Sequence, residues 1–265
     1  MIDAHLHSWL LGPAQPRWLT GPFKRDFPAE DAEAVLSAAG IDGAVLVQAD
    51  DSAADTAHLL SLHAEHAWVL GVVGWLPIED PAAVAAALAL GTGLCGVRQL
   101  IHDDPRSGIL DVPAVVESAR MIAAAGIALD VPDSWPRDLA SIGRLAERVP
   151  ELTIVVDHLG KPPADHIADW AQTLARVAEY PNVVAKLSGL GRRPDLSRIV
   201  DTALNAFGAQ RLMYGGDWPM TVPAGGYQAE FRGIRALIDT LGSAERTAIW
   251  EGTAKRSYRL APRVM

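Results

Sequence analysis

Cysteine is almost missing from this chain: one thiol, Cys95, in 265 residues. That excludes an internal disulfide and any metal site built on a cysteine cluster. Positive charge is also scarce. Lys and Arg number 23 against 32 Asp and Glu, a formal charge of −9, which argues against nucleic acid or an anionic membrane surface as a partner. No uninterrupted apolar run approaches the roughly 18 residues a membrane span needs. No basic segment followed by an apolar stretch opens the chain, so no signal peptide is expected and the expected setting is the reducing cytoplasm. No Pro/Gly/Ser-rich linker, compositional shift or repeat divides the sequence, so one domain over 1–265 is expected. Neither G-x-S-x-G nor H-E-x-x-H occurs, which disfavours a serine hydrolase of the elbow type and a zincin. Gly91-Thr-Gly93-Leu-Cys-Gly96 has the spacing of a dinucleotide fingerprint. It follows a helical pattern and precedes a strand, the reverse of the order a phosphate site requires, and reads as a tight turn.

What is present is alternation. Short apolar, β-branched runs recur eight times: roughly Ile2–His7, Gly43–Gln48, Val69–Trp75, Gly96–Ile101, Ile127–Val131, Thr153–Asp157, Val183–Leu187 and Leu212–Tyr214. Near-continuous apolarity marks parallel strands buried on both faces. Between them lie Ala- and Leu-rich helical patterns, several stopped by glycine, as at Gly40, Gly126 and Gly208. A last helical stretch covers about Ala244–Tyr258. Eight βα units in one domain of this length predict an α/β fold, a (β/α)8 TIM barrel with a C-terminal helix. A doubly wound open sheet is the alternative, since alternation does not distinguish closure from an open sheet. The longest irregular segment, Leu10–Pro28, holds Pro13, Pro16, Pro22, Pro28 and Trp18, and its length suits a lid or binding loop.

Polar residues gather at the carboxyl ends of these runs, the end of a barrel where chemistry is expected. Asp3, His5 and His7 alternate with Ile2, Ala4 and Leu6 on the first. Gln48 ends the second and Trp75 the third; Arg98 and His102 follow on the fourth. The fifth carries Asp130 and then Asp133, the sixth Asp157-His158-Leu-Gly-Lys161, the seventh Lys186 and Ser188, and the eighth Gly215-Gly216-Asp217-Trp218. A solvated edge strand with incidental histidines would not produce this sorting. Among the histidines of the second helical run, His63 and His66 read as surface residues, and Cys95 reads as core.

The pieces Ile2-Asp-Ala-His5-Leu-His7, Val45-Leu-Val-Gln48, Val73-Gly-Trp75, Gly96-Val-Arg98, Val156-Asp-His158-Leu-Gly-Lys161-Pro162, Val184-Ala-Lys186-Leu-Ser188-Gly189 and Tyr214-Gly-Gly-Asp217-Trp218-Pro219 occur in this order. The chain thereby resembles the amidohydrolase superfamily, specifically its lactonase-like branch of fuconolactonases, sulfomuconolactonases and pyrone-dicarboxylate lactonases. It departs from the wider superfamily at two points. Arg98 stands on strand 4 where a bridging lysine or glutamate would serve a second metal, and strand 5 ends in Asp130 with no histidine. A binuclear centre is therefore not expected. The resemblance implies one metal or none.

Ring opening of a lactone needs an activated water, a counter-charge for the carbonyl oxygen and a proton for the departing alkoxide. Asp217 is the candidate general base, with a cap on the following helix as its bland alternative. His5, His7, His158 and Asp217 form a nitrogen–oxygen ligand set for one divalent ion, with Zn²⁺ expected. In a metal-free version the imidazoles and Arg98 would stabilise the oxyanion. Catalytic roles thus fall to Asp217, His158 and Arg98, and substrate contacts to Arg98, Gln48, Trp75, Lys186, His102 and Trp218. Arg98 paired with Asp130, Lys186 paired with Asp157 or Asp217, and Asp157 as a buried ion-pair partner are the competing structural readings. Trp9, Trp18, Trp75, Trp135 and Trp218 on the catalytic side favour a carbohydrate-derived lactone as the small-molecule partner. A metal-dependent decarboxylase of the same superfamily and a non-catalytic sugar-acid binder are the alternative functions, and the sequence leaves a homo-oligomer open.

Overall fold

The computed structural model describes residues 1–12 and 15–261; Pro13 and the last four positions of the expected domain lie outside the described residues. Eight parallel strands run in chain order: β1 Ile2–Leu6, β2 Gly43–Val47, β3 Val69–Gly74, β4 Gly96–Arg98, β5 Ala128–Val131, β6 Ile154–Val156, β7 Val183–Leu187 and β8 Leu212–Tyr214. Each pairs with the next. The ring closes just past β8, where the Asp217 N–H donates to the His5 carbonyl (2.8 Å) and the His7 N–H to the Trp218 carbonyl (2.7 Å). That seam makes the sheet a barrel and removes the open-sheet alternative.

The crossover helices are α1 Ala29–Ala39, α2 Ala53–Glu65, α3 Pro81–Leu90, α4 Pro113–Ala124, α5 Leu139–Arg148, α6 Ile167–Ala178, α7 Leu196–Phe207 and α8 Tyr227–Ile238. Their ends follow local chemistry. The Ser52 hydroxyl and the Asp80 carboxylate accept the N–H groups of Asp55 and Ala83 at the starts of α2 and α3, and Gly40 closes α1 with φ 70°. Gly91 and Gly93, both at positive φ, make the turn from α3 into β4, as the fingerprint-like spacing predicts for a turn. α5 begins at Leu139, after Pro132 and Asp133 have joined the wall of the cavity.

Helix–strand packing buries a shell that includes Trp170, Ile142, Leu145 and Leu129. A second apolar cluster fills the amino end of the barrel, where Ile2, Ala4, Val45, Val73, Val155 and Met213 are capped by Ala254 and Tyr258. These last two come from a helical segment built of α9 Ser243–Thr247, a wider π-turn at Ala248–Gly252 and α10 Thr253–Ser257. The carboxyl end is left for the site. Among the described residues, no helix is long and apolar enough to cross a membrane.

Candidate active site

The floor of the site is a set of buried charges. Lys186, fully buried on β7, places its ammonium 2.6 Å from Asp130 and 2.9 Å from Asp157. Arg98 on β4 donates to Asp157 at 3.1 Å through one terminal nitrogen and to the Gln48 carbonyl through the other. The Gln48 amide in turn donates to the Arg98 carbonyl at 3.2 Å and to Asp51 at 3.0 Å. The Tyr258 hydroxyl donates to Asp130 from below at 2.6 Å. Burial works against charge on Asp157, but Lys186, His5 and Arg98 outweigh it and hold the carboxyl well below the usual range. Asp130 and Asp157 likewise overcome burial and raise Lys186, keeping it an ammonium.

His5 and His7 point into the same space from β1, their Nε2 atoms 3.2 Å apart. Burial pushes His5 well below its ordinary value and lowers His7 as well, so both rings are neutral near pH 7. Asp3 faces elsewhere: its carboxylate accepts from the His5 and Gly216 N–H groups, both at 2.9 Å, and from the Tyr227 hydroxyl at 2.7 Å. It ties β1 to the turn that carries Asp217 and is a brace beneath the site. Gly216 is required there, because an added Cβ would lie 2.2 Å from the Tyr227 ring and 2.5 Å from Asp3.

Strand alternation would send Asp157 and His158 to opposite faces, yet both serve the site. The backbone turns left-handed immediately after Asp157, with φ 54° at His158 and 53° at Leu159, and stays at positive φ through Gly160 and Lys161. This is why β6 ends at Val156. Asp133 (φ 37°) and Asp217 (φ 50°) share the conformation, which is costly for residues bearing a Cβ and clusters at functional sites. His158 packs against His5 with ring centres 4.5 Å apart, and its Nδ1 lies 2.9 Å from the Ser188 hydroxyl. Gly189 leaves room for both catalytic candidates: a Cβ there would fall 2.6 Å from His158 Nδ1 and 2.9 Å from Asp217 Oδ2.

A cavity of about 450 Å³ opens over this floor. His7, Arg98, His102, His158 and Asp217 line it, as the sequence suggests for a pocket at the strand ends. Gln48 and Lys186 lie wholly buried outside its wall, in the charged floor; Trp75 is outside it too. Trp218 packs edge-on against Phe27 instead. Arg98 pairs with Asp157 and not with Asp130 or Asp217. Asp217 caps no helix through its side chain. Its Oδ1 is buried, accepts no hydrogen bond, and lies 3.5 Å from His7 Nε2 and 3.8 Å from His5 Nε2.

Sequence reasoning gave no role to Asp133, Lys161 or Ser188. The first two form an ion pair on the cavity wall, and their signal was position, just past β5 and β6 next to proline. The long loop, where described, is pinned across the mouth by paired Trp9–Phe27 backbone hydrogen bonds and by the Trp18 indole donating to the Ala49 carbonyl, and Trp18 joins the wall.

Nitrogen and oxygen atoms of His5, His158 and Asp217 lie within 4.8 Å of one another, all buried. Neutral imidazoles and a carboxylate oxygen without a hydrogen-bond partner are the donor types that hold a first-row divalent ion, so these residues fit one, with His7 beside them.

The amidohydrolase family model Amidohydro_2 matches residues 2–260. The L-fucono-1,5-lactonase of Burkholderia ambifaria is 32% identical over 98% of this chain and 95% of its own length. An amidohydrolase structure from Burkholderia multivorans with bound zinc matches with a TM-score of 0.90 at 30% identity, over 98% of this chain and 99% of that one. A putative 2-pyrone-4,6-dicarboxylic acid hydrolase from Pseudomonas putida shares the fold at a TM-score of 0.76 and 24% identity, over 99% and 98% of the two chains.

Proposed function

This chain belongs to the amidohydrolase family, and on that premise we propose that it opens the ring ester of a sugar-acid or related carboxylate lactone, with Asp217 as general base. The observation that carries the reading is the buried Asp217 Oδ1, without a hydrogen-bond partner on the cavity floor, among neutral histidines and facing no Lys or Arg among the described residues. An acceptor in that position can take a proton from a water on its way to a carbonyl carbon. The C–O ring bond then breaks, and the proton returns to the departing alkoxide from Asp217 or His158. The products are a hydroxyl and a carboxylate on one chain. Arg98, held by Asp157 and the Gln48 carbonyl, presents positive charge to the oxygen that becomes negative. His7 and His158 complete that wall. When a divalent ion, Zn²⁺ by donor type, is held by His5, His158 and Asp217, it supplies Lewis acidity to the same oxygen.

The wall also speaks to the substrate. Its Arg and Lys side chains, Arg98 and Lys161, already face Asp157 and Asp133. That favours a hydroxyl-rich, uncharged ring over a dicarboxylate, and Trp18 offers a face for its C–H surface. The relatives named as L-fucono-1,5-lactonases support the same class. In a pH-indicator assay over sugar-acid 1,4- and 1,5-lactones, Asp217→Asn is expected to lose about 10²–10⁴-fold in kcat. Full turnover by this variant would remove Asp217 as the base. Release of CO₂ from a carboxylic acid substrate would instead mark a decarboxylase, and tight lactone binding by the wild type without turnover a binder.

A further inference from the structure

We propose that Asp133 and Lys161 are specificity-determining residues that together hold one hydroxyl group of the substrate ring. The identity of the ligand rests on the hydrolase reading above. The two side chains meet as an ion pair on the cavity wall, presented by the turns that follow β5 and β6. Both residues stand in the left-handed region, Asp133 at φ 37° and Lys161 at φ 65°, although each bears a Cβ. That conformation is costly, and it clusters where a ligand is gripped.

Holding the two turns together does not account for the pair. The Trp135 N–H donates to the Gly160 carbonyl at 2.8 Å, which already links the turns through their backbones, and the Lys161 N–H donates to the His158 carbonyl at 2.8 Å. The Lys161 side chain is 65% exposed, and an ion pair so open to water contributes little to stability. Its chemistry is not used up, either. An ammonium has three N–H groups, and among the described residues Asp133 is its one hydrogen-bond partner. Asp133 gives one oxygen to Lys161, and the other, Oδ1, accepts no hydrogen bond.

A neutral hydroxyl suits such a pair better than a charged group does. It can donate to the Asp133 carboxylate and accept from the Lys161 ammonium at once, without separating the two ions. A substrate carboxylate would meet Asp133 as a like charge, and a substrate ammonium would meet Lys161 in the same way. Lys161 follows His158 by three positions on one turn, and both line the cavity. The hydroxyl is therefore held on the wall that carries His158, where the contact orients the ring.

A cycle between protein and substrate tests this. Against a fully hydroxylated aldono-1,5-lactone, Lys161→Met and Asp133→Asn are each expected to lose about 10–100-fold in kcat/KM. The loss should fall on KM, with kcat near its wild-type value. Lys255→Gln, which breaks an exposed ion pair with Glu251, changes neither. In a series of lactones each lacking one ring hydroxyl, the wild type should lose a similar factor for one member, and both variants should lose little more for that member. Variants that keep the wild-type preference across the series, or whose loss falls on kcat alone, overturn the proposal. Hydroxylated δ-lactams keep the ring and resist opening, so calorimetry reads the same contact without turnover. There each variant should weaken binding about 10–100-fold, and unchanged binding overturns the proposal. Should Asp133→Asn not fold, Lys161→Met decides, since it alters an exposed side chain. Lactam binding that depends on the pair, without lactone turnover, defeats only the hydrolase reading. Turnover indifferent to the pair defeats this inference alone, and neither binding nor turnover defeats both.

Discussion

Two layers of charge sit in this barrel, and they are built on opposite terms. In the lower layer, Lys186 lies against Asp130 and Asp157, Arg98 against Asp157, and Tyr258 against Asp130, with almost no solvent exposure. In the upper layer, Asp217 lies against the neutral rings of His5 and His7, with no Lys or Arg paired to it among the described residues, and the backbone at Asp133, His158 and Asp217 is held left-handed. Opposed charge and regular strand go together below; above, the strained turns carry one ion pair, Asp133 with Lys161, and one acid, Asp217, without a Lys or Arg partner among the described residues. Strain and unmet polar groups persist only where the surrounding structure determines them. The lower layer supplies that determination by fixing the walls on which the upper one stands.

The comparison can be broken at either layer. The largest effect is expected from Lys186→Met, which leaves two buried acids facing each other with Arg98 as their remaining cation; urea unfolding should show a loss of about 3–5 kcal/mol. A loss below about 1 kcal/mol would mean that the lower layer is not structural. Tyr258→Phe removes one donor from Asp130 and keeps Lys186 there, so about 1–3 kcal/mol is expected in the same measurement. Asp217→Asn should change stability by no more than about 0.5 kcal/mol while activity collapses, because no ion pair is lost; a large drop in stability would erase the distinction between the layers.

The smallest effect is a pH slope. Burial raises Asp3 to about 6, against an ordinary value of 3.8. Between those values the folded chain holds a proton the unfolded chain has released. This group's contribution therefore favours folding below about 4 and declines as pH rises to about 6. Asp3→Asn, which keeps an oxygen for the Gly216 and His5 N–H groups, should flatten that part of the thermal-stability profile. An unaltered profile would show that Asp3 does not titrate in this window.

Much of this was legible in the sequence. Apolar runs of strand length at regular spacing made eight strands visible, and the polar residues past each run located the site, because a parallel barrel hides apolar strands and exposes one set of ends. His5, His7, Arg98, His158 and Asp217 meet where that logic places them. What was not legible depends on backbone conformation and partner choice. Alternation separates Asp157 from His158, but the left-handed turn at His158 reunites them. Arg98 could have met Asp130, Asp157 or Asp217, and only the barrel's register assigns it to Asp157 and leaves Asp130 to Lys186. Trp75, Trp218 and Gln48 lie at strand ends yet miss the cavity, since position along a strand does not say how a side chain turns at its end.

The seam between β1 and β8 has a consequence for the order of events in assembly. Asp217 and His7 close the ring with their own backbone N–H groups, so the last rungs of the barrel and the centre of the site form together. The partners are more than 200 positions apart, Gly216 on Asp3 among them, and contacts of such separation form late because loop closure must be met first. A nascent chain that has made seven strands holds His5, His7 and His158 without Asp217. If Asp217 is the base, as proposed, reactivity is expected only when the ring is whole, and a ring opened at this seam by local fluctuation should lose its chemistry before it loses its fold.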